Sequence, residues 1–173
     1  MSEKESLKHV KVELIEPGRS PYRFMEKMRK RHHPELKKAR IALAWRISYK
    51  PDRDGHLTLG KCHKASDLQR ELAEWDYVIL LNKEVWNDSE FSKKKKYALI
   101  DHEMCHAAPV VNKEGKHKKD ERDRYVWRMR DHDIEEFHEI VKRHGIWKRD
   151  LEIFAEALLK KRHGKYKRKE GER

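Results

Sequence analysis

Apolar and polar residues alternate along two stretches in the first half of the chain, 40–49 and 56–62. Alternation puts every second side chain on one face, which is typical of a half-buried strand. Between them, Pro-Asp-Arg-Asp-Gly at 51–55 has the composition of a turn. The pattern therefore predicts a β-hairpin over 40–62. The short apolar run DYVILLN, 76–82, predicts a further strand buried on both faces.

Apolar residues spaced three and four apart predict four helices. The predicted helices are 22–38, basic and either interrupted or bent near Pro34; 90–108, which begins after the break Asn87-Asp88-Ser89 and is stopped by Pro109; 132–145, with Gly145 as its C-terminal cap; and 149–164. Helices and strands are segregated along the chain rather than alternating. The predicted fold class is therefore α+β, a small sheet with helices.

The length of 173 residues fits a single domain. We expect an N-terminal arm over 1–20, because a cluster of helix and strand breakers, Pro-Gly-Arg-Ser-Pro, follows it. The domain itself is predicted to occupy 21–162. The highly charged end of the chain, 163–173, is predicted to be a disordered basic tail. Between helices, the segment 112–124 is expected to be a polar loop.

The chain is strongly basic, with a formal net charge of +12. Such a balance favours an acidic partner such as nucleic acid, although a soluble protein with a lysine-rich surface explains it equally well. Basic runs lie at 29–33, 93–96 and 160–169. They could bind phosphates, and without a recognisable DNA-reading motif we expect such binding to ignore base sequence.

Two cysteines, Cys62 and Cys105, do not form a disulfide framework, and this fits a reducing cytoplasm. The charged N-terminus lacks the apolar stretch of a secretion signal. Apolar runs long enough to span a bilayer are also missing from the sequence. The sequence therefore predicts a cytoplasmic protein without a membrane anchor.

The strongest chemical signal is His102-Glu103-Met104-Cys105-His106, an H-E-x-x-H pattern on the predicted helix 90–108. Side chains four apart lie on one helix face, so His102 and His106 can hold one zinc ion between them. Glu103 is turned about 100° away, so it can act as the base for the metal-bound water. A chance match in a chain this rich in His and Glu has odds of roughly one in ten.

The surroundings of the pattern favour the catalytic interpretation. Tyr97, Ile100 and Met104 form an apolar side roughly opposite the two histidines, so the helix can pack on the core while its histidine face lines a cleft. The helix also follows a predicted strand. A sheet edge beside it could hold an extended substrate.

Catalytic zinc usually has three protein ligands and one open position. The segment 130–137 offers candidates for the third ligand. Asp133 and Glu136 have the spacing of a helix capping box, which leaves His132 ahead of the helix and able to point at the metal. We favour His132, with Glu136 and Asp133 as the alternatives.

Other residues near the pattern are weaker candidates for binding the metal or orienting its ligands. Cys105 could approach the zinc, but a cysteine in such a position is more often a small buried apolar residue. Asp101 could orient a ligand histidine, or could equally be solvated. A structural zinc site that adds Cys62 and His63 is disfavoured, because adjacent strand residues point to opposite faces.

Five segments together resemble the putative phage metallopeptidase family, zincin-like proteins of phages and bacterial mobile elements. The segments are ARIALAW, GHLTLGKCHKAS, DYVILLNKEVW, ALIDHEMCHA and HDIEEFHEIVKRHGIW, from about Pro21 to Trp147. The resemblance implies a small zincin-like fold, a metal held by His102 and His106, and Glu103 as the base. His132 as third ligand fits the family pattern. The two ends of the chain carry no family motif, and the resemblance assigns no substrate.

Two functions are therefore predicted. The first is a zinc-dependent metallopeptidase in the cytoplasm of a bacterial cell or phage-infected host, acting on a protein or peptide. It could work on nucleic-acid-associated proteins if the basic surface holds it near them. The alternative is a basic nucleic-acid-binding accessory protein with a structural zinc or none.

Overall fold

The computed structural model describes residues 11–48 and 50–166. The predictions made for 1–10 of the arm, for Tyr49 and for the tail beyond residue 166 lie outside this range. The chain forms two compact units, divided after Arg130. The predicted α+β class, a small sheet with helices, is confirmed, and the sheet is mixed. The predicted segregation is wrong, because strands and helices are interleaved along the chain.

The first unit contains a mixed four-stranded sheet in the order β1-β2-β4-β3. Its strands are β1 (Lys11–Leu14), β2 (Ile41–Ile47), β3 (Gly60–Lys64) and β4 (Tyr77–Asn82). The central strands β2 and β4 run parallel, with Leu43 opposite Ile79. The outer strands are antiparallel to their neighbours, and Cys62 of β3 is also opposite Ile79.

The predicted hairpin over 40–62 is wrong, because β3 pairs with β4 rather than with β2. Both β2 and β4 are apolar enough to be covered on two faces, and together they form the sheet centre. The sequence of β3, Gly-Lys-Cys-His-Lys, carries charges that suit an edge strand. β3 also begins four residues later than the predicted second strand, at Gly60.

Part of the segment expected to be an arm forms the opposite edge strand, β1. Its four residues alternate between charged and apolar, and the apolar Val12 and Leu14 are both exposed. Glu13 forms an ion pair with Lys83, 2.6 Å away, at the end of β4. So short and charged a strand is held by its pairing to β2 rather than by burial.

The described part of the first unit has four α-helices: α1 (Ser20–His32), α2 (Asp67–Ala73), α3 (Lys83–Asn87) and α4 (Lys93–Cys105). The predicted interruption near Pro34 is confirmed, since α1 ends at His32 and a 3-10 turn follows at Pro34–Leu36. The sequence analysis missed α2, whose start is a capping box of Ser66 and Gln69.

α4, the helix that carries the H-E-x-x-H pattern, is shorter than predicted. It begins after Ser92, whose hydroxyl accepts a hydrogen bond from the Lys95 amide, and it ends at Cys105 with His106 as its C-terminal cap. Pro109, predicted to stop the helix, instead lies in the strand that follows it. The apolar side is as predicted: Ile100 and Met104 are fully buried.

The segment between α4 and Arg130 is folded back on itself rather than being a plain loop. Strands β5 (Ala107–Pro109) and β6 (Trp127–Met129) pair antiparallel. Between them, the side chains of Asn112 and Asp120 each accept backbone hydrogen bonds and shape two tight turns. This polar segment therefore brings the end of β6 next to the C-terminal end of α4.

The core of the first unit lies between one sheet face and the helices. Leu43, Ile79 and Leu81 of the sheet are fully buried, together with Met25 of α1 and Met104 of α4. Burial of large apolar side chains contributes about 1.5–3 kcal/mol each. Burial of Ile100 and Met104 fixes the rotation of α4, so that His102 and His106 are turned away from the core.

The second unit contains α5 (His138–His144) and α6 (Arg149–Tyr166). The predicted helix 132–145 therefore begins six residues late, with Phe137 as its N-terminal flank. Glu136 does not serve as a capping-box partner of Asp133: it accepts the Phe137 amide and pairs with Lys148, 3.3 Å away. The predicted cap at Gly145 is confirmed by its φ of 67°.

None of the helices within the described residues has the length and apolar content that crossing a bilayer requires.

Candidate active site

The two histidines of the H-E-x-x-H pattern lie side by side at the C-terminal end of α4. Their ring centroids are 5.1 Å apart, and the ring planes are inclined by 81°. His102 is exposed and His106 is half-buried. This arrangement follows from their spacing of four on one helix. Two imidazole side chains so close together are suitable donors for a borderline-soft divalent ion such as zinc.

The orientation of His106 is fixed by the backbone of Arg130, the last residue of the first unit. Nδ1 of His106 lies 2.8 Å from the Arg130 carbonyl oxygen. Because a carbonyl oxygen only accepts, Nδ1 carries the proton and Nε2 keeps its lone pair for a metal. The Arg130 amide in turn donates to the His106 carbonyl oxygen over 2.8 Å.

The buried hydroxyl of Tyr77 links this arrangement to the sheet centre. It lies 2.7 Å from the Arg128 carbonyl oxygen, and it accepts a hydrogen bond from the Ala108 amide at 3.2 Å. Burial raises the pKa of Tyr77, so its phenol stays protonated. Tyr77 of β4 therefore joins β5 and β6, the two strands that lead away from His106 and toward Arg130.

Glu103 is buried, with only 3% of its surface exposed. It lies against the edge strand β3, where the Cys62 amide hydrogen-bonds its carboxylate. A β-carbon added to Gly60 would stand 2.7 Å from Oε1 of Glu103. Gly60 is therefore the residue that gives this carboxylate room, and a side chain at that position would displace it.

Burial raises the pKa of Glu103, while the charge of His106 and the Cys62 amide act in the opposite direction. A carboxyl group with a raised pKa takes up a proton more readily near neutral pH, and this is the property required of a general base. The structure thus brings together His102, His106 and Glu103. It adds two contributors that the sequence analysis missed, Gly60 and the Cys62 amide. An isolated glycine in a strand was the only signal for them.

Asp101, which the sequence offered as an orienting carboxylate, contacts a different histidine. Its Oδ1 lies 2.7 Å from Nε2 of His33, which is buried at the end of α1. Glu35 lies 3.4 Å from the other ring nitrogen. This contact ties α1 to α4 one residue before His102. Asp101 therefore acts on the placement of the helix.

The two cysteines differ in environment. Cys62 is buried in the core, and burial raises the pKa of its thiol to about 12. Cys105 is exposed, so the expectation that it is a buried apolar residue is wrong. The reason is the rotation of α4, which turns the preceding residue, Met104, into the core and leaves Cys105 outside.

The candidates for the third ligand belong to the second unit. His132 and Asp133 are both exposed in the segment ahead of α5. Glu136 is occupied by the Phe137 amide and by Lys148, and these contacts lower the pKa of its carboxyl group. To bind a metal, Glu136 would have to give up its contacts with the Phe137 amide and Lys148.

Comparison with known proteins gives one match. Neither a curated protein nor a solved structure matches the sequence significantly. A family model described as "Putative phage metallopeptidase" matches residues 17–157, which is most of the chain and includes α4 with its histidines. The protein therefore belongs to the phage metallopeptidase family.

Proposed function

We propose that this protein is a zinc-dependent peptidase with a zincin-like fold, acting in the cytoplasm of a bacterial or phage-infected cell. His102, His106 and His132 hold the metal, and Glu103 is the general base. The observation that carries the proposal is the buried carboxylate of Glu103 beside two histidines on one helix face. Family membership supports a metal-dependent peptidase.

His132 is the third ligand in this proposal for two reasons. It follows Arg130 by two residues, and consecutive Cα atoms are about 3.8 Å apart, so its Cα lies within roughly 7.6 Å of the residue that holds His106. Its competitor Glu136 is held by Lys148 and the Phe137 amide. Three neutral imidazoles with one open position form a ligand set known for catalytic zinc.

When bound, zinc supplies a Lewis acid that polarises the scissile carbonyl and lowers the pKa of water. Glu103 takes a proton from the attacking water and delivers it to the departing amine, so that the peptide bond is replaced by a carboxylate and an amine. Gly60 and the Cys62 amide hold the Glu103 carboxylate in place. An extended substrate could lie beside β3, the sheet edge next to Glu103.

Replacing Glu103 with Gln tests this role. The amide keeps the shape of the carboxylate but cannot accept the proton. We expect zinc content and thermal stability near those of the wild type, and peptidase activity on an unfolded protein reduced by about a hundredfold or more. Glu90→Gln, an exposed change ahead of the same helix, is the matched control. A fully active Glu103→Gln protein with intact zinc would overturn the proposed mechanism.

A second candidate function, binding to nucleic-acid phosphates, is favoured by the placement of two basic runs. Residues 29–32 form the last turn of α1, and residues 93–96 form the first turn of α4. The two helices pack together through Phe24 and Tyr97, with ring centroids 4.3 Å apart. Lys27 lies over the Tyr97 ring at the same contact. Such a surface could hold the enzyme near nucleic-acid-associated proteins, or it could be the main function.

A further inference from the structure

A pocket of about 550 Å³ opens directly beside the candidate catalytic residues. Leu59, just ahead of β3, and Gly60, the first residue of β3, form one wall. Ala98 and Leu99 of α4 form another, and Phe91 lies ahead of that helix. His102 and Glu103 also border the pocket, and Lys95 completes the lining. All of these residues belong to the first unit.

The chemistry of the lining indicates what the pocket can hold. Its walls are mainly aliphatic and aromatic carbon, and its volume lies within the range of about 300–1,000 Å³ that is typical of small-ligand sites. An apolar side chain leaves water on entering such a site, and this stabilises the complex. The position also matters, because a group seated against both His102 and Glu103 lies within one residue of the bond to be broken.

We propose that this pocket binds a large apolar side chain, such as Leu, Met or Phe, of the substrate residue adjoining the scissile bond. The proposal rests on the proposed peptidase function and names the class of substrate for it: segments with exposed large apolar residues, as in unfolded or loosely structured protein. Folded proteins bury these residues, so intact domains are poor substrates.

Lys95 adds a second element of selectivity. Its ammonium group donates to the Glu90 carbonyl oxygen over 3.2 Å, which keeps the charge near the pocket. A Lys or Arg side chain of the substrate would lose its hydration among apolar walls and would be repelled by Lys95. The Glu103 carboxylate at the border offsets little of this cost, because it already accepts the Cys62 amide. The pocket therefore selects against basic residues as well as against small ones.

The test is a binding experiment that needs no turnover. Four acetyl-amino-acid hydroxamates, with leucyl, phenylalanyl, glycyl and lysyl side chains, are titrated into the zinc-loaded full-length protein by calorimetry. The variant is Ala98→Trp, which fills the pocket from an exposed helix position. The matched control is Ala73→Trp, also exposed and at the end of α2, away from the pocket. Zinc content and thermal unfolding verify that each protein is intact.

For wild type and Ala73→Trp, we expect leucyl and phenylalanyl probes to bind roughly ten- to a hundredfold more tightly than glycyl, with lysyl weakest. In Ala98→Trp this preference should fall to about threefold or less. Equal affinity for all four probes, or a preference that survives Ala98→Trp, would overturn the proposal.

Cleavage of an unfolded protein by the same preparations separates this proposal from the peptidase function. Cleavage next to Leu, Met and Phe, lost in Ala98→Trp alone, supports both. Selective probe binding without any cleavage would support the pocket and contradict the peptidase. Cleavage with no preference for residue type would leave the peptidase standing and overturn the pocket assignment.

Discussion

Gly60 and Glu103 contact each other across the gap between the edge strand β3 and the helix α4. A β-carbon on Gly60 would lie 2.7 Å from a Glu103 carboxylate oxygen and 3.2 Å from its γ-carbon. Real β-carbons do not approach other atoms so closely, so either the strand or the carboxylate must move. We therefore expect Gly60→Ala to reduce turnover by about tenfold to a hundredfold, while the zinc-to-protein ratio stays near one.

The control for this prediction is Lys61→Ala, because Lys61 is exposed on the same strand. It should leave turnover within about twofold of the wild type, as surface changes usually do. Steady-state cleavage and metal analysis of the three proteins decide the matter. Unchanged turnover in zinc-loaded Gly60→Ala would show that the carboxylate does not need this space.

The identity of the third ligand is tested by His132→Ala and Glu136→Ala. Loss of His132 should weaken zinc binding by about a hundredfold or more, because two histidines remain. Glu136→Ala should keep the affinity within about threefold, because its carboxylate is occupied by Lys148 and the Phe137 amide. Competition with a chromophoric chelator measures both. The reverse order of effects would assign the ligand to Glu136.

Tyr77→Phe removes the hydroxyl that joins β5 to β6. Buried polar groups that lose a partner typically cost about 1–3 kcal/mol, and both the Ala108 amide and the Arg128 carbonyl oxygen lose one here. We expect urea unfolding to show a loss of stability of that size. Zinc affinity should also fall, because these strands hold Arg130 against His106. Tyr97→Phe, whose ring packs on Phe24, is the control and should retain zinc affinity.

The two thiols should react at very different rates. At pH 8, a thiol with a pKa of about 12 is ionised in only about one molecule in ten thousand. Cys62 is also buried, whereas Cys105 is exposed. We expect an aromatic disulfide reagent to modify Cys105 rapidly in the native protein and Cys62 only after denaturation, as peptide mapping would show. Rapid labelling of native Cys62 would contradict its placement in the core.

Cys62 also predicts a pH dependence of stability. Its pKa rises from 9.0 to about 12 on folding, so the neutral thiol is the form that the fold accommodates. This contribution is fully present below pH 9 and is lost as the pH rises toward 12. The free energy of unfolding should therefore fall more steeply between those values than in Cys62→Ala, compared by urea titration. Parallel curves for the two proteins would contradict the assignment.

Nucleic-acid binding is tested by its salt dependence. If the basic runs on α1 and α4 bind phosphates, affinity should fall steeply with salt and show little sequence preference, because counterions are released. Fluorescence anisotropy with two unrelated duplexes measures both properties. Absence of binding at about 50 mM salt would remove nucleic acid from the list of partners.

The sequence predicted the elements of this fold better than their arrangement. Strands β2 and β4, and α1 with its end before Pro34, follow from patterns that lie within a few neighbouring residues. The insertion of β4 between β2 and β3 does not, because strand order depends on which strands have two apolar faces and on contacts far apart in the chain. Short β1 was missed for the same reason, since its partner β2 lies about thirty residues away.

The candidate site shows the same contrast between what local sequence patterns predict and what depends on distant contacts. His102, Glu103 and His106 could be proposed from the sequence because their spacing on one helix is the pattern that such chemistry needs, and the structure places the three close together. The support from Gly60, Tyr77 and Arg130 could not, because backbone groups and an unremarkable glycine act there through distance alone. The proposed capping box of Asp133 and Glu136 failed because Lys148 and the Phe137 amide compete for the same carboxylate.

The strand order has a consequence for when the candidate active site forms during folding. His102 and His106 meet within a single turn of helix, a contact that requires no other part of the chain. Glu103 meets Gly60 only after β4 has paired with β2 and β3 has joined as the edge strand, which closes long loops and is slow. A newly made chain can therefore bring the two proposed metal ligands together before Glu103, the proposed base, is in position. We infer that hydrolytic competence is a late step of folding, reached only when the sheet is complete.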